Sequence, residues 1–396
     1  MDRRILYLCT TFPRLSETFV EREVRYLRER LPLEVHSLWR GGSPDGIPVR
    51  VFRLRFLFRL FLRVPAWLLR DPSGLVRILE TLLRNPPRSL LSVQETHLGL
   101  AAGILLADEV RSDPPRWIHA VWATAPATAA WTIHCLTGAR FSFGAHAYDL
   151  FQHGGDCLLR EKIAAAAWIR TSTAAAAREL ERRGAPAAKI VLVRRGLASL
   201  PDPVEPRDPS PPLRALSVGR LVPKKGFRRQ IELYRAWKEA GVPFEAVLVG
   251  DGPLRAELEA EVRSLGLGDR VFLPGALPAS AVGPWYRWAD LFLFTGAVSR
   301  DGDRDGLPNV VPEAMAHGLP VLATPSPGVR EAVRDGETGV LLHGADPKVW
   351  AVGALRLWHA PRRRRRIARQ ARAWVEENFR SAENTARLAE RLENSP

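Results

Sequence analysis

The chain has 396 residues, 46% hydrophobic and 26% charged, a balance that excludes a disordered chain and provides cores for two domains, or at most three. Its formal net charge of +15, from 58 basic and 43 acidic residues, points to phosphate in some form: nucleic acid, nucleotide or an anionic membrane surface. Cys9, Cys135 and Cys157 make no CxxC pair, which argues against a disulfide framework or a zinc site and for a reducing cytoplasm.

The surplus is uneven. Residues 1–200 hold 29 basic and 18 acidic residues, whereas the remainder holds 29 and 25. At the N-terminus Asp2-Arg3-Arg4 leads into a short run, Ile5 to Leu8, and then into polar residues, so no signal peptide is expected. In chain order the first half reads as strand 4–9, helix 18–30, strand 33–38, helical stretches, then strands 117–121, 140–143 and 167–171. The second half alternates strands 214–218, 244–249, 271–273, 291–294, 321–323 and 340–342 with helices near 226–240, 253–265, 280–288, 309–317 and 328–334. Such alternation implies an α/β fold with helices on both faces of a parallel sheet. Between the halves, residues 201–212 contain six prolines, too many for strand or helix. Residues 1–203 and 213–380 are therefore two Rossmann-like domains, with 204–212 as linker. Ligands of such sheets bind at the carboxyl ends of the strands.

Three turns in the second half carry chemistry. Strand 214–218 runs into Gly219-Arg220-Leu221-Val222-Pro223-Lys224-Lys225-Gly226 and a helix, a strand-to-helix turn whose amides and cations suit a diphosphate. Its bland alternative is a basic surface turn. Val249-Gly250-Asp251-Gly252-Pro253-Leu254-Arg255 lacks the third glycine of a dinucleotide fingerprint and also reads as a tight turn with proline at the first helical position. The stretch from Asp301 to Val321 places Asp305 before a short helix and Glu313 within it, with Gly306, Leu307, Pro308, Asn309 and Val310 between. Amides there suit phosphate oxygens and carboxylates suit sugar hydroxyls, the makings of a nucleotide-sugar clamp.

These segments, with Gly328 to Gly339, resemble in order and spacing the donor half of glycosyltransferase family 4, retaining enzymes of the GT-B fold. Thr11 to Val20, Ile118 to Ala123 and Phe141 to Asp149 resemble the N-terminal half of that family's colanic-acid and exopolysaccharide branch, so the match spans nearly the whole chain. The resemblance implies an acceptor-binding first domain, a donor-binding second domain facing it across a deep cleft, and a C-terminal helix, 381–396, returning to the first. It implies that Arg220 and Lys225 hold the donor diphosphate and stabilise the leaving group. Glu313 would hold the ribose, Asp305 would face the transferred sugar, and the amides of Leu307 to Val310 would lie near the phosphates, with Gly219, Gly250 and Gly306 shaping the site. His146 would line the acceptor side; alone it reads as a core histidine. The expected reaction is retaining transfer of a hexose from a UDP- or GDP-linked donor to a saccharide or lipid-linked saccharide, without metal or other cofactor.

The chain departs from that pattern in three places. The family usually has Glu where Asp305 stands. Arg194-Arg195-Gly196-Leu197-Ala198 lacks the acidic residue usual at that junction. Asp301-Gly302-Asp303 mimics a metal-binding DxD but reads here as a solvated acidic loop. An epimerase acting on a sugar nucleotide and a non-catalytic relative of the same fold are the competing readings.

Between Arg50 and Arg70, Arg55, Arg59, Arg63 and Arg70 fall within about 80° on a helical wheel, opposite Phe, Leu, Val and Trp. This stripe reads either as an interfacial helix, 51–70, on an anionic membrane, which would place the protein peripherally at the inner face of the cytoplasmic membrane, or as a helix packed on its own domain. The run Arg362 to Arg366 reads as a solvated helix face, and no nucleic-acid-binding motif accompanies it.

Overall fold

The structure, a computed structural model, describes residues 4–14, 17–44, 46–344 and 346–395; the side chains of 54–56 lie outside the described set, as do Leu15 and Ser16 of the 11–20 segment. The chain divides into two units, residues 1–195 with 381–396, and residues 196–380.

The first unit is built on seven parallel strands: β1 (Ile5–Phe12), β2 (Leu33–Gly41), β3 (Val49–Val51), β4 (Trp117–Ala120), β5 (Phe141–Gly144), β6 (Trp168–Thr171) and β7 (Ile190–Leu192). Their order is β3-β2-β1-β4-β5-β6-β7. Every residue of β4, β5 and β6 is buried, as expected of strands covered on both faces. The covering helices are α1 (Thr18–Arg28), α2 (Leu60–Arg70), α3 (Pro72–Arg84), α4 (Leu90–Ser112), α5 (Ala125–Thr137), α6 (Tyr148–Phe151), α7 (Leu159–Ala165) and α8 (Ala174–Arg182). Among the described residues, only α4 is long and apolar enough to cross a membrane. It lies along α5 instead: a Cβ on Gly99 would come within 2.5 Å of Thr128 Cβ, and one on Gly103 within 2.5 Å of Thr132 Cβ.

The second unit has six parallel strands, β8 (Leu213–Val218), β9 (Phe244–Val249), β10 (Val271–Gly275), β11 (Leu291–Phe294), β12 (Val321–Ala323) and β13 (Val340–Leu341), in the order β10-β9-β8-β11-β12-β13. Counted within the unit this is 3-2-1-4-5-6, the order of dinucleotide-binding sheets. Its helices are α9 (Phe227–Glu239), α10 (Arg255–Ser264), α11 (Ala279–Trp288), α12 (Val310–Ala316), α13 (Pro347–Trp358) and α14 (Pro361–Asn378). The last helix, α15 (Ser381–Glu393), counts with the first unit, where Leu388 and Leu392 join Val24, Trp117 and Trp168 in one apolar cluster.

Four expectations differ in detail. The division falls at Arg195/Gly196, ahead of the proline run, and residues 204–212 belong to the second unit rather than forming a spacer. Without ladder partners for its carbonyls, this segment is held by side chains of α14: Arg364 Nη2 donates to Arg207 O at 2.5 Å, and Arg365 pairs with the Asp208 carboxylate at 2.9 Å. The same contact corrects the reading of Arg362–Arg366, because Arg364 is fully buried. Residues 50–70 are not one helix but β3, a 3-10 helix (Leu54–Arg59) and α2, which continues through Pro65. Arg63 and Arg70 both pair with Asp108 of α4, at 2.6 and 3.2 Å, while Phe61, Leu62 and Leu69 are exposed. The side of α2 free of protein contact is therefore its apolar side; Arg55 lies among the undescribed side chains. The expected helix at 328–334 is a single 3-10 turn, Val329–Glu331.

Candidate functional site

β8 and β11 are neighbours, but the connection after β8 leads to β9 on one side and that after β11 to β12 on the other. The loops leaving these two strands therefore part at the sheet's carboxyl edge and leave a crevice between them. Nearly all the expected donor residues lie on these two loops.

Backbone geometry shapes the crevice. Gly250 follows β9, and a Cβ there would meet Gly219 O at 1.9 Å, so only glycine lets the turns after β8 and β9 lie against each other. Pro223–Lys225 form a 3-10 turn that Gly226 ends in the left-handed region, φ 70°. A Cβ on Gly226 would sit 2.0 Å from Thr295 O, which is how the turn reaches the loop after β11. Thr295 Oγ1 fastens the approach by donating to Gly226 O at 2.9 Å and accepting from Gln230 Nε2 at 2.9 Å.

Three ion pairs between two lysines and two aspartates result. Lys225 Nζ lies 2.7 Å from Asp305 Oδ2; Lys224 Nζ lies 2.9 Å from Asp303 Oδ2 and 3.7 Å from Asp305 Oδ1. Burial alone would raise the Asp305 carboxyl, but Lys225, Lys224 and Arg220 outweigh it and hold it below its ordinary value. Arg220 itself is exposed and makes no hydrogen bond or ion pair among the described residues, leaving its five donors for a ligand. Leu307 and Pro308 are buried beneath the loop, and Gly306 O packs where a Cβ on Gly328 would stand, 2.2 Å away. Asn309 precedes α12 and its Oδ1 is buried with no hydrogen-bond partner among the described residues; Val310 opens the helix. Glu313, one turn on, accepts a 3.0 Å hydrogen bond from Tyr286 Oη of α11, and burial, then Glu313, raises the Tyr286 phenol well above its usual value. The crevice thus offers three cations and two carboxylates at one edge and a positioned carboxylate on a helix at the other. A ligand with several anionic oxygens and a pair of hydroxyls matches both ends.

In the first unit, the turn after β5 carries His146. Its backbone N–H donates to both oxygens of Asp149, at 2.9 and 3.1 Å, while its ring packs edge-on against Trp122, centroids 5.2 Å apart. The residue is 5% exposed, and Nδ1 is buried with no partner among the described residues. Burial, then Arg195 and Arg170, pushes its pKa well below the ordinary value, so it is a neutral imidazole with one nitrogen to spare. Arg195 caps the cluster, its guanidinium 3.7 Å over the Phe19 ring and 5.5 Å from that of Trp122. Lys162, fully buried, donates to Ala123 O at 2.7 Å and pairs with Asp156 at 2.6 Å, fixing the turn after β4.

The structure brings Gly219, Arg220, Lys225, Gly250, Asp305 to Val310 and Glu313 to the switch point of the second unit and puts His146 at the carboxyl edge of the first. Sequence reasoning missed Lys224, Asp303, Tyr286 and the Arg195–Phe19–Trp122 stack. Asp303 is no solvated residue: 18% of its side chain is exposed and it pairs with Lys224. The adjacent Lys224-Lys225 carried the signal, since two lysines in a one-turn helix cannot both face away from the acidic loop that Gly226 brings near.

Residues 202–374 match the family model "Glycosyl transferases group 1". The amylovoran biosynthesis glycosyltransferase AmsK of Erwinia amylovora is 36% identical over 211 residues, 53% of this chain and 52% of that protein. The colanic acid biosynthesis glycosyltransferase WcaL of Escherichia coli K12, whose assignment is itself putative, is 36% identical over 175 residues, 43% of each chain. The matches thus span about half the length, or less, of these curated relatives. Among solved structures, Anabaena HepE in complex with UDP and glucose superposes with a TM-score of 0.67 at 17% identity, over 99% of this chain and all of that one. The resemblance read from the motifs holds: the chain carries a group 1 glycosyl transferase domain, has the two Rossmann-like domains of the GT-B fold, and is a relative of the exopolysaccharide glycosyltransferases.

Proposed function

We propose that this chain, a GT-B relative of the exopolysaccharide glycosyltransferases, transfers a hexose from a UDP- or GDP-linked donor to a saccharide or lipid-linked saccharide, with retention, as a member of family 4. The observation that carries the reading is the cluster of Arg220, Lys224 and Lys225 against Asp303 and Asp305 at the switch point. A donor diphosphate would share the two ammoniums with the carboxylates and take the free guanidinium. Charge that develops on the leaving phosphate is then met by cations already in place, the electrostatic contribution that usually dominates such a step. These three cations do the work a divalent metal does elsewhere, so the reaction needs no metal or other cofactor. Glu313, oriented by Tyr286, accepts from the ribose hydroxyls, and the amides of Leu307 to Val310 receive phosphate oxygens, with Gly219, Gly250 and Gly306 giving the backbone its approach. Asp305 faces the transferred sugar at the reacting carbon. Attack by the acceptor hydroxyl on the face from which the diphosphate departs preserves configuration, the leaving phosphate oxygen taking the acceptor proton. His146, held neutral by its burial, lines the acceptor side as an uncharged imidazole, not as a cation.

The relatives' roles in amylovoran and colanic acid synthesis support a place in cell-surface polysaccharide assembly, with the protein in the cytoplasm and peripheral to its membrane. For residues 51–70 the contact with lipid would be made by Phe61, Leu62 and Leu69, because Arg63 and Arg70 are engaged with Asp108. The direct experiment is a panel of UDP- and GDP-hexoses with and without EDTA. One donor should raise the melting temperature and be consumed only with acceptor present, equally in EDTA. Epimerisation of the donor without acceptor, or complete loss in EDTA, would refute the reading.

A further inference from the structure

The seam between α4 and α5 advances in four-residue steps: Glu95, Gly99 and Gly103 of α4 meet Thr124, Thr128 and Thr132, which run along α5 from its N-cap. At the second and third steps only glycine fits, which locks the register of the two helices and delivers the Glu95 carboxyl to Thr124 at the first. Thr124 occupies the N-cap position, but its hydroxyl caps no backbone N–H. It hydrogen-bonds instead with Glu95 and, at 3.3 Å, with Tyr148 Oη. The Tyr148 ring stands 5.5 Å from that of Trp122, which in turn packs edge-on against His146. A chain of contacts thus runs from Glu95 to the wall that carries His146.

Three carboxyls, Glu95, Asp149 and Asp156, border one cavity of about 30 Å³ beside this chain. Asp156 pairs with the buried ammonium of Lys162 on α7 at 2.6 Å. Asp149 accepts from the backbone N–H groups of His146 and Ala147 at 2.8 to 3.1 Å. Glu95 has neither kind of partner among the described residues. Arg88, which borders the cavity from the α3–α4 connection, is exposed and pairs with no carboxylate among the described residues, and His153, the remaining titratable side chain there, is exposed as well. Burial, then Asp156, raises the Glu95 carboxyl to about 7, against the Thr124 hydrogen bond and the charge of Lys162. The Tyr148 phenol, pushed well above its usual value by burial and then by Glu95 and Asp149, keeps its proton.

A threonine hydroxyl has one proton to give. Facing an ionised Glu95, Thr124 donates to the carboxylate and accepts from Tyr148. Facing a protonated Glu95, it accepts from the carboxyl and donates to Tyr148. We propose that Glu95 is a positioning residue whose carboxyl proton, through Thr124, reverses the hydrogen bond at Tyr148 and so sets how Tyr148 and Trp122 stand beside His146. This rests on the sugar-transfer reading only in taking that wall as the acceptor side.

The test is fluorine NMR of the full chain labelled with 5-fluorotryptophan, titrated through neutral pH, with the Trp122 resonance assigned by its loss in Trp122→Phe. In the wild type this resonance should move with a midpoint at about pH 7. It should be independent of pH in Glu95→Gln, and in Tyr148→Phe, which breaks the chain at another link. His153→Gln should move as the wild type does. A wild-type resonance that does not move would overturn the proposal, as would movement that survives in Glu95→Gln or Tyr148→Phe or vanishes in His153→Gln. Glu95→Gln keeps the shape of the side chain and should keep the wild-type melting temperature; if it does not fold, Tyr148→Phe decides alone. UDP and GDP, titrated calorimetrically into the same samples, report on the second unit: failure of both in every sample counts against the transfer reading, independently of the fluorine result.

Discussion

In both units the strand order reverses beside the first strand, between β1 and β4 in one and between β8 and β11 in the other, yet the side chains delivered to those reversals are opposite in kind. The second unit brings two lysines and two aspartates together within 4 Å, partly open to water, where a multivalent anion can compete for the cations. The first presents a buried, neutral histidine enclosed by Trp122 and Asp149 beneath a guanidinium stacked on Phe19, a surface suited to hydroxyls and apolar sugar faces. The same backbone plan thus hosts either chemistry, and which one appears depends on a handful of residues in the loops that leave the strands.

Removing the second unit's cation gives the largest expected effect. Lys225→Ala should lower transfer roughly 10²–10³-fold with little change in melting temperature; near-normal turnover would erase the contrast between the units. Next, Gly226→Ala places a Cβ 2.0 Å from Thr295 O in a left-handed residue, and urea unfolding should show a loss of roughly 2–3 kcal/mol. A neutral result would mean that the two loops need not meet so closely.

The first unit is probed by pH. His119, on β4, is held at about 3 by burial and then by Arg170, and His146 is shifted the same way. Both stay neutral in the fold while the unfolded chain takes up protons below about pH 6.5, so stability is full above that value and falls as pH drops. Between pH 7 and 5, His119→Asn should remove about 2 kcal/mol of that fall, read as a flatter melting-temperature profile. An unchanged slope would show that His119 is hydrated. The smallest expected change is in Tyr286→Phe, which removes one hydrogen bond to Glu313: nucleoside-diphosphate affinity should fall about fivefold, the worth of one hydrogen bond of about 1 kcal/mol.

Much of this was legible in the residues. Apolar runs between helical periods marked eleven of the thirteen strands, and only the three-residue strands Val49–Val51 and Ile190–Leu192, each on a sheet edge, carried too little pattern to be read. The donor crevice was legible because its parts lie in short contiguous segments. The partners across it were not. Lys224 with Asp303 are 79 residues apart and Tyr286 with Glu313 are 27, and only the sheet order brings the first pair together. Arginines misled most: Arg364 reads as solvated but is buried against a carbonyl, and Arg63 and Arg70 face Asp108, since a long aliphatic stem lets a charged head reach a partner from a surface that spacing alone marks as open.

The most direct test is calorimetric titration of UDP and GDP into the wild-type chain and Lys224→Ala/Lys225→Ala. One of the two nucleotides should bind the wild type, and the double variant should bind it at least roughly 30-fold more weakly, as expected when two charge-assisted contacts to phosphate are lost. Equal binding by both proteins would contradict the assignment of the second unit's switch point, as would failure of both nucleotides to bind the wild type.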